Sequence, residues 1–560
     1  LERGHEMQST LDFSDPVPLW AGDYLGERVF IDTNQQLGHS VKGYKSHALN
    51  LEKHQFFDFF TIHHDSEIIS YDLTRSVLAI EETSSVRFAD FYERSKLIHL
   101  KLLFQLVSLA TRGDLFAPET IEQLSSELIG RRLHCPIFTA GESALEIQFQ
   151  VLQVCHDYLI WKLNSVSARN RLTHDIQAKA DYALRKVESF GYLLSKERVD
   201  ALYDRTHIQI QEKIENLKSF GWAPGHQSER KYEDAVQALS IILPKTATGK
   251  VSSAERHIVE YADQHPFFRE YLDFHSLRKL QSTYLSKMRG TEILFPHYRT
   301  LVSTGRTSSY DPNFQNFPRD QEVRECFIPR PDHKFLVADY ATIELCALAQ
   351  TCISLFGQSR MADLINDGVD LHRWFASVLL GKSIDQVTKE ERTYAKACNF
   401  GFPGGLGVKQ FLQYAKYTYG ISSLTLQKAS DFKSKWLEAF PEMKMYLDAN
   451  GQKYRSKITA TTITGRMRSN CTFTQAKNFP FQGLASDGGK LALYELIKAD
   501  YRVVNYVHDE FVLEIPSDDE DLMTEKIVVA ECMMIDQMQT VCPDLKIGIE
   551  SSICDYWKKL

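Results

Sequence analysis

Val503–Val507 and Phe511–Ile515 are short runs rich in β-forming residues, and His508, Asp509 and Glu510 stand between them. Runs of that length around a tight junction predict a hairpin. Strands that pack on a core seldom carry adjacent carboxylates at their junction unless water or a cation meets them there. By itself the tip reads equally well as a solvated, charged turn. A second acid lies far upstream, in Phe335-Leu-Val-Ala-Asp339. The apolar run predicts a buried strand with Asp339 at its end, and the segment from Ile343 to Gln350 has helical apolar spacing. A strand-end carboxylate joined by another from a distant hairpin is a way to build a divalent-metal site. Mg²⁺ takes few carboxylates and keeps room for waters and phosphates. Two such ions about 4 Å apart can activate a hydroxyl and stabilise a leaving pyrophosphate. Asp339 and Asp509 are the candidate ligands.

A third element is a helix. Thr388 and Glu391 have capping-box spacing, and Arg392, Lys396 and Phe400 follow at every fourth residue. Two cations and a ring on one stripe suit a nucleoside triphosphate better than a solvated face or a core face.

Together these segments resemble DNA polymerase family A. Asp339-Tyr-Ala-Thr-Ile-Glu344-Leu is similar to its motif A. Arg392-xxx-Lys396-xx-Asn399-Phe400-Gly401 is similar to motif B, and His508-Asp509-Glu510 to motif C. Thr304-Gly305-Arg306, Gln315-Asn316, Thr464-Gly465-Arg466, Asn478-xxx-Gln482-Gly483 and the thumb-like Lys279-Leu-Gln-Ser282-Thr283-Tyr284 follow in the family's order, from about residue 175 to 560. The resemblance implies that Asp339 and Asp509 bind two Mg²⁺ ions, with Mn²⁺ able to substitute, and that Glu510 supports the catalytic site. It implies that Arg392, Lys396, Phe400, His372 and Tyr340 bind the incoming dNTP, while Glu344 excludes a 2′-hydroxyl. Arg306, Gln315, Asn478, Gln482, His508, Lys279, Ser282 and Thr283 would contact primer-template DNA. Minor-groove contacts of this kind test pair shape without a sequence code.

The implied fold class is α+β and multidomain: a right-hand polymerase with an antiparallel palm sheet and helical fingers and thumb, plus an N-terminal α/β, RNase H-like, exonuclease-like domain. The expected division is 1–110 degenerate exonuclease-like domain, 111–175 helical connector, 176–299 thumb, 300–350 palm, 351–484 fingers and 485–560 palm. Within the thumb, Ala178–Leu202 reads as one long amphipathic helix. Two departures stand out. Cys346 replaces the usual Arg after motif A. In motif B, Phe402 is followed by Pro403-Gly404-Gly405, which breaks the expected helix, and Gly404 stands where the family has a Tyr.

At the N-terminus, Arg28-Val-Phe-Ile-Asp32-Thr-Asn34 resembles the first exonuclease strand, but a metal-binding Asp-x-Glu would need Glu at 34. Asp65-Ser-Glu67 follows His63-His64, and Asp90 echoes a later motif. The expectation is a structural domain without proofreading; a metal site at 63–67 is the alternative.

A net charge of −8 excludes diffuse coating of DNA, so affinity must come from clusters such as Lys279/Lys287/Arg289 and Arg466/Arg468. Ten cysteines with no CxxC pair suggest reduced thiols. No apolar run or signal pattern points to a membrane. The expected setting is the cytoplasm of a bacterium or phage-infected cell, with an organelle as the alternative, and a monomer as the acting form. Two other functions compete with a DNA polymerase: a polymerase on RNA templates, and an idle DNA-binding scaffold. Retention of Asp339, Asp509, Arg392 and Lys396 together argues against idleness.

Overall fold

The computed structural model describes residues 170–558 nearly continuously, apart from 450–456 and single positions. Before them it describes 67–82, Arg87, 96–118, three further strands and parts of a helix within 153–162. Readings that rest on Asn34, His63, His64, Asp65 and Asp90 lie outside the described residues.

The N-terminal sheet is mixed and five-stranded, in the order β3-β2-β1-β4-β5: β1 (Glu27–Asp32), β2 (Leu37–Lys42), β3 (Lys45–Asn50), β4 (Glu67–Ser70) and β5 (Lys96–His99). β1 to β3 form an antiparallel meander, whereas β4 and β5 join in parallel. Two helices follow the parallel strands, α1 (Leu73–Glu81) and α2 (Leu100–Arg112). Glu67 is buried in β4 and faces His156.

The expectation of one helix over Ala178–Leu202 is corrected. The chain forms α3 (Asn170–Phe190), strand β6 (Tyr192–Leu194) and α4 (Lys196–Lys218). Gly191 makes the break, with φ at +61°, and a Cβ there would stand 2.6 Å from Ile293. Tyr192 is thereby buried against Trp557, Phe314, Phe327 and Phe335. β6 pairs with β7 (Ile293–Leu294) and with β10 (Phe327–Ile328), while β8 (His297–Arg299) and β9 (Ser308–Tyr310) make a hairpin. α4 and α5 (Pro266–Lys279) pack around Trp222, Phe267, Phe268 and Phe274, a core of their own.

The central sheet is antiparallel, in the order β14-β15-β11-β16: β14 (Arg502–Val507), β15 (Glu510–Pro516), β11 (His333–Tyr340) and β16 (Ile549–Cys554). Alternation along the strands gives it two apolar faces. Leu336, Ala338, Val503, Phe511 and Leu513 face α6 (Ile343–Phe356), α9 (Phe473–Lys498) and α10 (Glu520–Val541). Phe335, Val337, Val504 and Val512 face Tyr192 and Trp557. Between α6 and α9 lies a helical region that includes α7 (Leu371–Leu380), α8 (Lys389–Gly401) and the hairpin of β12 (Ile458–Thr461) with β13 (Met467–Cys471). Among the described residues no helix is long and apolar enough to cross a membrane.

Candidate active site

The hairpin forms as its composition predicts. β14 and β15 are joined by His508 and Asp509 alone, with Val507 opposite Glu510 and His508 at φ +60°. Register then does what the sequence could not specify. Asp339, last but one in β11, lies opposite Glu510 on one side and Glu550 of β16 on the other. Paired residues share a sheet face, so three carboxylates form a row on the same face as Phe335 and Val337, with Asp509 at the adjoining tip. Glu550 escaped the sequence reading, although it gives the same signal as Asp339: an acid inside a β-forming run.

This crowding has an electrostatic consequence. Burial, then Asp509 and Glu510, push the Asp339 carboxyl well above the usual carboxylate range, and one of its oxygens is buried without a hydrogen-bond partner. Burial also raises Asp509, against the pull of Arg306. Glu510 differs, because Trp557 Nε1 donates to it at 3.0 Å. Oxygen donors packed together with an unsatisfied lone pair fit a divalent cation held by Asp339 and Asp509.

Glu344 sits in the first turn of α6 and forms an ion pair with Arg306, a half-buried guanidinium that also feels Asp509. Gln315 is tied back to the Thr307 carbonyl at 3.0 Å. Asn478 and Gln482 lie half-buried on α9, and the Asn478 amide donates to Thr474 O at 3.0 Å. Tyr340 does not join the site through its side chain. One residue beyond Asp339 means the opposite face, where its buried hydroxyl donates to Met534 O at 2.7 Å.

α8 starts with the capping box of Thr388 and Glu391. Arg392 Nε donates to Asp370 Oδ2 at 2.8 Å, and Asp370 Oδ1 caps α7 through the backbone of His372 and Arg373. Lys396 is exposed, and Phe400 packs beside the His372 ring. His372, which the resemblance implies would assist in binding the nucleotide, is held as a buried, neutral ring. It is 2% exposed, and burial with Arg392 nearby lowers it to about 4, so it is neutral at pH 7. Its ring nitrogen contacts the Asn399 amide at 3.0 Å, and Asn399 accepts from Trp436. α8 ends at Gly401, before Pro403, and Gly405 N closes the turn on Phe402 O at 2.9 Å. A Cβ on Gly404 would stand 2.7 Å from the Asn478 amide, so that side chain fills the space beside the turn.

The basic clusters divide. Lys279, Ser282 and Thr283 are exposed where α5 runs into a π-helical turn, Leu280–Leu285, a distortion common at functional sites. Lys287 pairs with Asp311, and Arg289 with Asp200 and Asp204. Arg466 is corrected outright: it is fully buried and bonded to Asp487, out of reach of any phosphate backbone.

Elsewhere, His99 Nε2 lies 3.5 Å from Asp181 and 3.7 Å from Asp72, beside a cavity of about 790 Å³ lined by Arg75, Lys101, Arg185 and Arg299. Both carboxylates already have protein donors. Asp72 accepts from Arg75 N, and Asp181 from Thr300.

The sequence profile of DNA polymerase family A matches residues 232–559, more than half of the chain. DNA polymerase I of Aquifex aeolicus is 32% identical over 328 residues, covering 57% of this chain and 55% of that protein. DNA polymerase I of Bacillus subtilis is 28% identical over 394 residues, covering 64% and 43%. The chain thus spans about half the length of these relatives. The POL domain of Pol1 from M. smegmatis, solved in complex with DNA primer-template and dNTP, superposes with a TM-score of 0.70 at 18% identity, covering 95% of each chain. That likeness shows a shared fold, and the profile match shows the kinship: the chain belongs to DNA polymerase family A.

Proposed function

We propose that this chain is a template-directed DNA polymerase that adds dNTPs to a primer 3′-hydroxyl, acting without proofreading. The observation that carries the reading is the register that sets Asp339 opposite Glu510 and beside Asp509, a carboxylate row with an unsatisfied buried oxygen. Asp339 and Asp509 would hold two Mg²⁺ ions, or Mn²⁺ in their place. Bound there, the ions supply activation of the attacking hydroxyl and charge neutralisation on the departing pyrophosphate.

The protein's own groups do the rest. Arg392 and Lys396 lie one helical turn apart on α8 and offer fixed positive charge to a triphosphate. Phe400, one turn further, offers a face to the sugar and base. Glu344 borders the place where a ribose 2′-hydroxyl would lie, which favours dNTPs. Its pairing with Arg306 supports a swap on binding, in which Arg306 leaves Glu344 for the primer terminus. Asn478, Gln482 and His508 would read the shape of the new pair, and Lys279, Ser282 and Thr283 would grip the primer-template backbone.

The test is extension of a labelled primer-template with Mg²⁺ and dNTPs, comparing the wild type with Asp509→Ala and including a lane without dNTPs. The expected outcome is extension that the substitution abolishes, and an intact primer where dNTPs are withheld. A wild type that binds the DNA but leaves the primer unextended would establish the scaffold reading instead. Metal-dependent shortening from the 3′ end would overturn the absence of proofreading.

A further inference from the structure

Arg306 projects from a turn that is held from behind. The turn closes through Gly305 N to Val302 O at 2.7 Å and Val302 N to Arg306 O at 2.8 Å. Its Gly305 carbonyl accepts two further bonds from α9, from Lys490 Nζ at 2.8 Å and Ser486 Oγ at 3.1 Å. Lys490 is fully buried, and its ammonium also donates to Gln177 Oε1 on α3 at 2.6 Å. Gln177 in turn donates to Asp487 at 3.1 Å, and Asp487 accepts from Arg466 at 2.6 Å and Thr464 at 2.7 Å. The Arg466 guanidinium lies against the other side of the turn, since a Cβ on Gly305 would stand 2.4 Å from it.

A buried ammonium is an expensive way to fill a core, because desolvation opposes its charge and an apolar side chain of similar size would pack as well. What an apolar side chain lacks is a donor for one particular carbonyl. That carbonyl belongs to the residue just before Arg306. α3 grips the preceding segment too, through Arg185 to Tyr298 O at 2.6 Å and through Asp181 to Thr300.

We infer that Lys490 is a positioning residue for the polymerase reaction: by bonding the Gly305 carbonyl it fixes where the Arg306 arm leaves the palm. Arg306 reaches Glu344 and the field of Asp509 only from that root. A shift of about 1 Å in such an arm can cost about 100-fold in rate. The inference rests on the polymerase reading above. It adds a residue that touches neither DNA nor nucleotide.

A double-mutant cycle tests it, with single-nucleotide incorporation measured for wild type, Lys490→Met, Arg306→Met and the double variant. Thermal unfolding of each confirms that folded protein is compared. Lys490→Met is expected to lower kcat about 10- to 100-fold while KM for the dNTP changes less than about 3-fold. In the Arg306→Met background, the same substitution should lower kcat by less than about 3-fold. Equal losses in both backgrounds, or a wild-type rate in Lys490→Met, would overturn the inference. If Lys490→Met does not fold, Gly305→Ala enters the same cycle with the same expectations, since it presses the turn from the Arg466 side. A wild type that incorporates nothing would overturn the polymerase reading itself.

Discussion

The chain contains two Thr-Gly-Arg turns, at 304–306 and 464–466, with one backbone design and opposite fates. In each, the glycine N–H bonds back three residues, and the N–H of that same earlier residue takes the arginine carbonyl. Gly305 and Gly465 both sit at positive φ, +92° and +102°. Yet Arg306 reaches Glu344 with a third of its side chain exposed, whereas Arg466 is sealed against Asp487 with none. The turns also touch, because the buried guanidinium supports the glycine of the other. One arginine thus stays open to solvent beside Glu344, and its twin serves as part of the floor beneath it. The same three letters give an open arm or a buried brace according to what closes over them.

The comparison breaks most visibly in stability. Arg466→Met leaves Asp487 buried without its cation, and loss of one partner of such a pair costs about 3–5 kcal/mol. Arg306→Met removes a partly buried ion pair whose carboxylate still reaches solvent, a loss of about 1 kcal/mol. Chemical denaturation of the two variants should therefore separate them widely, with Arg466→Met far less stable. Similar losses would mean that Asp487 is compensated by Thr464, Gln177 and the nearby Lys490.

A second test uses Lys490, which links the two turns. Burial first, and Arg466 next, lower its ammonium from the ordinary 10.5 to about 7, against the opposing pull of Asp487 and Asp181. Gln177, the other group bonded to it, carries no charge. The folded state therefore binds fewer protons than the unfolded state between those two values. Stability must rise with pH across that window, with a contribution from this group of at most about 1.4 kcal/mol per pH unit. Below about pH 7 the penalty is present in full. The difference in unfolding free energy between wild type and Lys490→Met, measured from pH 6 to 10, should show that rise. A flat difference would mean that the ammonium stays charged in the fold, held by Asp487.

How much of this was legible in the sequence follows from range. The hairpin at 508–509, the capping box at Thr388 and the end of α8 before Pro403 are local, and propensity with turn chemistry specifies them. The strand end at 339 and the hairpin tip marked Asp339 and Asp509 as partners, but the register that adds Glu550 spans distant strands, and no local pattern encodes it. For Tyr340 and His372, motif membership does not say which face a side chain takes. Tyr340 is one pleat out of phase with Asp339, and His372 points into the α7–α8 interface. Arg466 failed likewise, because a cation beside another cation looks like a DNA clamp until the buried Asp487 is known. Gln177 and Lys490 carried no signal, being single polar residues outside every motif.

The mildest way to sharpen the comparison is at the glycines. Gly465→Ala forces a residue with a side chain into the left-handed region, which costs about 1–2 kcal/mol. That strain alone should appear as a modest loss of stability, with the incorporation rate of the folded protein close to wild type. Gly305→Ala carries the same backbone penalty, but its Cβ also meets the Arg466 guanidinium, so it should lose rate as well as stability. Comparing melting temperature with kcat for the two variants separates strain in a turn from displacement of the arm it carries. If Gly465→Ala lost as much rate as Gly305→Ala, the second turn would be setting the Arg306 arm through its backbone rather than through the side chain it buries.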